Sequence, residues 1–304
     1  MAGQSMRDIK RRINSVKNIQ HITKAMELVS ATKLRRSQQN VERARPYAQK
    51  LQEVLGRLLA ANRPEDGRKP QHPLLVARPI EKVCYVLVTS DRGLAGAYNA
   101  NVIRLAEQTF AAEQRPYKII TIGRKGAEYF LRRRYPIFRD YEGIGDEVHY
   151  HQAQQLANEL VEMFTSGDVD EVRFIYTRFI STGTQRPNVA ELLPLTKLAS
   201  EEGGQRLAGE TPAEEREYIY EPSPQAVLGL LLPRYVEWMV FTMLSEAKAS
   251  EHAARMRAMR SASDNAGEMI RTLTLSFNRA RQAAITKEIA EIVSGAEALQ
   301  GAGW

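Results

Sequence analysis

The side chains that could do chemistry in this chain are few and far apart. Residues 82–89 read as a buried strand, and the loop after it, residues 90–96 (SDRGLAG), is where backbone amides could cradle a phosphate. A dinucleotide site needs three glycines in a G-x-G-x-x-G frame, so that backbone can approach the pyrophosphate at a helix N-terminus. Only Gly93 and Gly96 occur here, at the wrong spacing. Gly123-Arg124-Lys125-Gly126 is too short for a phosphate loop and lacks its hydroxyl. The five histidines are scattered; His149 and His151 are two apart, but they open a helix and no cysteine or carboxylate pattern completes a metal set. No G-x-S-x-G elbow occurs. The single cysteine, Cys84, lies in the apolar run VCYVLV and reads as a core thiol in a reducing compartment. No catalytic, cofactor-binding or metal residue is assigned, and no cofactor is expected.

The surrounding elements alternate. Residues 101–113 have helical spacing; 118–122 (KIITI) read as a second strand, 125–134 as a helix, 150–164 as another, 172–180 as a third strand and 188–195 as a fourth. Residues 135–149 read as Tyr135-Pro136 followed by a loop through Gly143 and Gly145. Such alternation predicts an α/β layer with a largely parallel sheet, Rossmann-like but without a nucleotide site.

The two ends follow a different period. Met256, Met259, Ser263, Ala266, Ile270, Leu273, Phe277, Ala280 and Ala284 recur in steps of three and four, the heptad seam of a helix facing a partner helix. Ile9, Ile13, Val16, Ile19, Ile22, Met26 and Val29 do the same at the other end, with Pro46 the first break. The expected architecture is an antiparallel coiled coil of the two terminal helices, residues 1–62 and 223–304, around a central α/β domain, residues 63–222. No segment is expected to span a membrane, since Arg234 and Glu237 sit inside the most apolar stretch. Thirteen basic against four acidic residues give the first sixty positions a charge of +9, against +7 for the whole chain. That stripe permits a rival reading, a basic coiled-coil adaptor for nucleic acid, but it lacks the interleaved aromatics on which bases would stack.

Five segments resemble one family. Residues 8–13 (DIKRRI) with 22–33 (ITKAMELVSATK), 89–99 (TSDRGLAGAYN), 250–256 (SEHAARM), 278–284 (NRARQAA) and 285–298 (ITKEIAEIVSGAEA) are similar, in order and over nearly the whole chain, to the γ subunit of F-type ATP synthases. The match begins near Met6, which points to the bacterial form; relatives often have Cys where Ala95 stands, and the paired-cysteine regulatory segment of chloroplast relatives is absent.

The resemblance implies a non-catalytic rotor shaft. Its terminal helices would turn inside three α and three β subunits, and its α/β domain, with ε, would sit on the membrane c ring at the cytoplasmic face of the plasma membrane. Membrane association would run only through that ring, with no nucleic acid partner. The resemblance places Arg281, Gln282 and Thr286 near a β catch loop, Met26 and Arg255 at an acidic β lever, and Tyr218 and Glu221 towards the c ring.

Overall fold

The computed structural model describes residues 6–61, 72–195, 198 and 220–301. In chain order the elements are α1 (Met6–Ala61), β1 (Val83–Val88), α2 (Tyr98–Ala112), β2 (Tyr117–Ile122), α3 (Arg124–Arg132), β3 (Ile137–Tyr141), α4 (Tyr150–Thr165), β4 (Glu171–Phe179), β5 (Gln185–Leu193) and α5 (Pro224–Gly301). The five strands form one sheet in the order β3-β2-β1-β4-β5. The first four strands are parallel and β5 runs antiparallel to β4 along one edge. β1 is buried along its whole length, as the centre of a sheet covered on both faces requires. Burial pushes the Cys84 thiol up to about 12, so it packs and does not react.

Two departures from the sequence reading have local causes. β3 lies in the stretch read as loop: Ile137-Phe138-Arg139-Asp140-Tyr141 is an edge strand with only its end residues half-buried, so no apolar alternation announces it. Pro46 does not end the first helix, which continues fifteen residues beyond it to Ala61. Leu51, Leu55 and Leu58, buried on that continuation, hold it in the same core as α4 and the start of α5. That burial outweighs the cost of about 3 kcal/mol that an interior proline carries.

The chain divides into two compact units. One comprises residues 30–255, the other residues 1–29 with 256–304. The division differs from boundaries at 62 and 223 because the inner parts of both long helices contribute core residues to the α/β body. In that body the face formed by Cys84, Val86, Val88, Ile120 and Ile122 packs on α4, α1 and α5, through Leu156, Leu160, Leu55, Leu232, Val236 and Val240 among others. The opposite face, with Tyr85, Leu87 and Ile119, packs on Val102, Ala106, Phe110 and Phe130 of α2 and α3. α5 contains a window long and apolar enough to cross a membrane by length and composition; half of that window is buried inside the protein.

In the second unit the two helix ends run antiparallel. Arg260 lies 3.8 Å from Glu27, and Gln20 donates to the Ser263 carbonyl at 3.4 Å, so the number falls on one helix as it rises on the other. On α5, Met259, Ser263 and Ala266 are buried and Met256, Ile270, Leu273, Phe277, Ala280 and Ala284 are half-buried, a stripe at heptad spacing. On α1, Ile9 is buried and Ile13 and Val16 half-buried, but beyond Val16 the stripe leaves the apolar residues. Ile19, Ile22 and Val29 are more than half exposed, while Thr23 and Glu27 are buried and Gln20 is half-buried. Ile19, Ile22 and Val29 therefore lie off the buried stripe, while Met26 is half-buried beside Glu27. Gly267 has a role in this polar stretch, since a Cβ there would stand 3.0 Å from the Gln20 amide nitrogen. Glu27 is held in its buried position by Lys24 at 2.9 Å as well as Arg260.

Candidate functional site

The glycine-bearing loop after β1 is wired to its own fold. Thr89 Oγ1 donates to the Ile122 and Gly123 carbonyls and accepts from the Gly126 amide at 2.9 Å. The Ser90 carbonyl accepts from Lys125 N, and the Asp91 carboxylate accepts from Arg124 N at 3.1 Å. Amide donors in the first turn of α3 are thus taken by the chain itself. Gly123 is required at this crossing. Its φ is +92°, and a Cβ there would lie 2.3 Å from the Thr89 carbonyl oxygen.

The same loop is tied to α5. Arg255, nearly buried, directs its guanidinium to the Gly93 and Arg92 carbonyls at 3.3–3.4 Å and pairs with Glu251 at 2.8 Å. Lys248 holds Glu251 from the other side at 3.2 Å. A second loop, between β3 and α4, is fixed to both long helices. Lys33 and Arg36 of α1 reach Asp146 and Glu147 at 2.6 and 3.3 Å. His252 of α5 places Nε2 3.0 Å from the Asp146 carbonyl, which makes Nε2 the protonated nitrogen and leaves buried Nδ1 unpartnered. Burial opposes ionisation of Asp146, but the Lys33 ammonium outweighs it and holds the carboxyl below its ordinary range. Burial lowers the His252 pKa, keeping the ring neutral. Further out, Tyr98 donates to the Ala247 carbonyl and Ser250 to the Thr177 carbonyl. Two loops, α2 and β4 are thereby tied to just over two turns of α5, from Ala247 to Arg255. Among the described residues no group of three or more His, Cys, Asp or Glu side chains could hold a metal.

Of the residues named from the resemblance, Arg255 lies in this clamp and Met26 in the other unit, half-buried. Arg281, Gln282 and Thr286 are exposed on α5, and Glu221 is exposed just before it. Tyr218 lies outside the described residues. Sequence reasoning missed Lys33, Arg36, Asp146 and His252; their contacts span more than a hundred positions and no local motif signals them.

A pair of long terminal helices and a five-stranded α/β body define the class of fold, and comparison with known proteins gives its family. The family model described as ATP synthase matches residues 5–299. The ATP synthase gamma chain of Moorella thermoacetica is 53% identical over 298 residues, 97% of this chain and 99% of that protein. That of Symbiobacterium thermophilum is 49% identical over 300 residues, 98% and 99% of the two chains. Among solved structures, the fold is similar to a chain of the Euglena gracilis mitochondrial ATP synthase rotor, with TM-score 0.63 and 21% identity over 92% of this chain and 99% of that one. It is likewise similar to one in the Tetrahymena thermophila central stalk and c-ring structure, with TM-score 0.58 and 23% identity over 80% and 99%. The chain belongs to the ATP synthase gamma chain family. It is accordingly a gamma subunit of ATP synthase, and the nucleic-acid alternative finds no support.

Proposed function

We propose that this chain is a non-catalytic shaft that couples c-ring rotation to the β catalytic sites, and runs in reverse on hydrolysis. The observation that carries this reading is the continuity of α5, a single helix of 78 residues that begins in the α/β core and ends in the paired unit without a loop. At 1.5 Å per residue it extends about 115 Å, and a loop-free path is what torque requires.

In this reading the shaft meets three α and three β subunits, with ε and the c ring at the other end, on the cytoplasmic face of the membrane. Exposed Arg281, Gln282 and Thr286 are available to a β catch loop and Met26 to the β lever, and exposed Glu221, just before α5, is available to the c ring. Arg255 acts from within, by positioning the loop at Gly93, since its guanidinium is spent on that loop and Glu251. The functional modules remain the first helix to residue 62, the body to 222 and the last helix from 223. The test is purification of a tagged chain from native membranes. Three copies each of α and β per chain are expected, and recovery of the chain alone refutes the assignment. In the assembled complex R281A/Q282A should lower turnover several-fold with unchanged circular dichroism, because exposed substitutions cost less than about 0.5 kcal/mol.

A further inference from the structure

The α2–α3 layer lies on the sheet face opposite the one that packs on α1, α4 and α5. Between the two helices runs a groove of about 510 Å³. Ile103 and the ring of Tyr129 supply apolar lining, Arg104 stands on the α2 bank and Arg132 on the α3 bank. The acids of the groove are already neutralised. Glu107 accepts from the Tyr129 hydroxyl at 2.8 Å and lies 3.8 Å from Arg133, whose guanidinium covers the Tyr129 ring at 3.6 Å. Glu128 pairs with Lys125 at 3.0 Å and Arg124 at 3.5 Å. Arg104 and Arg132 are exposed and, among the described residues, form no direct ion pair, though Arg132 adds to the positive field on Glu128 one turn before it. Surface arginines normally find partners or point singly into solvent. Two guanidiniums without a direct ion pair, on opposite banks of one concave, partly apolar groove, form a recognition surface, because arginine presents a planar fork suited to carboxylates.

We propose that the α2–α3 groove docks an acidic amphipathic segment of another protein. Carboxylates of that segment pair with Arg104 and Arg132, and an apolar side chain between them lies on Ile103 and Tyr129. The sign of the charge excludes a basic partner, and the apolar floor calls for more than a free anion. This inference stands on the groove alone and is independent of the rotor reading.

The test uses the full chain and a fluorescent helical peptide of repeating Glu-Glu-Leu-Leu, read by anisotropy. Binding is expected, and R104E/R132E should weaken it by about tenfold or more, since charge reversal replaces attraction with repulsion. R104Q/R132Q should give a smaller loss. The matched reversal R12E/R271E removes the same net charge outside the groove and should change affinity by less than about twofold. Equal losses in both reversal pairs overturn the groove in favour of general electrostatics. Undiminished binding of a peptide with Ser in place of Leu overturns the apolar contact. Binding to phosphatidylglycerol vesicles without binding to the peptide assigns the surface to lipid and also overturns the proposal.

Discussion

Arg255→Ala is the sharpest single perturbation of the clamp between loop and helix. The side chain is 11% exposed and Glu251 beneath it 5%, so the pair is effectively out of water. Removing one partner of a buried pair costs about 3–5 kcal/mol when the remaining charge is stranded. Here Lys248 stays 3.2 Å from Glu251 and carries part of that load. The contacts to the Arg92 and Gly93 carbonyls are long, 3.3–3.4 Å, and add about 0.5 kcal/mol each at most. The expected loss is about 2–3 kcal/mol. Arg255→Lys keeps the charge but not the fork and should cost about 1 kcal/mol. Unfolding in urea followed by Trp238 fluorescence reports on the same unit, since Trp238 lies on α5 within residues 30–255. Glu251→Gln should lose less than Arg255→Ala, and the double variant less than the sum, as residues sharing a network require. A midpoint for Arg255→Ala within error of wild type, or additive single variants, refutes the clamp.

Three further outcomes follow from the same geometry. Gly123→Ala drives a Cβ to 2.3 Å from the Thr89 oxygen at φ +92°, and should cost about 3 kcal/mol or more in the same urea assay, with Gly93→Ala, which meets nothing, as the tolerated control. Thr23→Asp places a carboxylate in the buried stripe one turn from Glu27 and should lower the circular-dichroism melting temperature of the helix pair, whereas Ile22→Asp at a 60% exposed position should not; the reverse order restores the apolar frame. His252, faced by the Asp146 carbonyl, Glu251, Arg255 and Lys248, with Lys33 held on Asp146, has a folded pKa below 6.5. The unfolded chain therefore binds a proton first as pH falls through 6.5, and stability drops by at most about 1.4 kcal/mol per pH unit until the folded pKa is passed. Asp146, whose carboxyl is also depressed, adds its loss only at lower pH. His252→Gln should flatten the urea midpoint between about pH 6.5 and pH 5, and an unchanged slope removes the histidine from the account.

The sequence carried the α5 stripe in full because small and apolar residues mark every seam position from Met256 to Ala284. It misled on α1, where the inward positions Gln20, Thr23 and Glu27 are polar and Ile19 and Ile22 face outward, so a pattern read by hydrophobicity follows the wrong edge. The central strands were legible from continuous β-branched runs. β3 was not, because its middle residues Phe138, Arg139 and Asp140 are all exposed. The glycine loop was visible as a motif, but its meaning was not: only the Asp91 carboxylate on Arg124 N and the Arg255 fork on Gly93 show that it serves the fold. Ion pairs such as Lys33 with Asp146 depend on where two distant segments land, which composition and spacing do not encode.

The antiparallel pairing of the two ends also sets the order in which the molecule can be made. Gln20 meets Ser263, 243 residues later, so at about 5–20 residues per second the first helix waits tens of seconds for its mate to emerge. Contacts of such long range are the slowest to form and leave the early segment open to misassembly. A stripe of Gln20, Thr23 and Glu27 is costly in the finished coil relative to leucine. During synthesis such a polar stripe makes the waiting helix a poorer template for a wrong neighbour than a leucine stripe would, while all five strands of the α/β body are made in between.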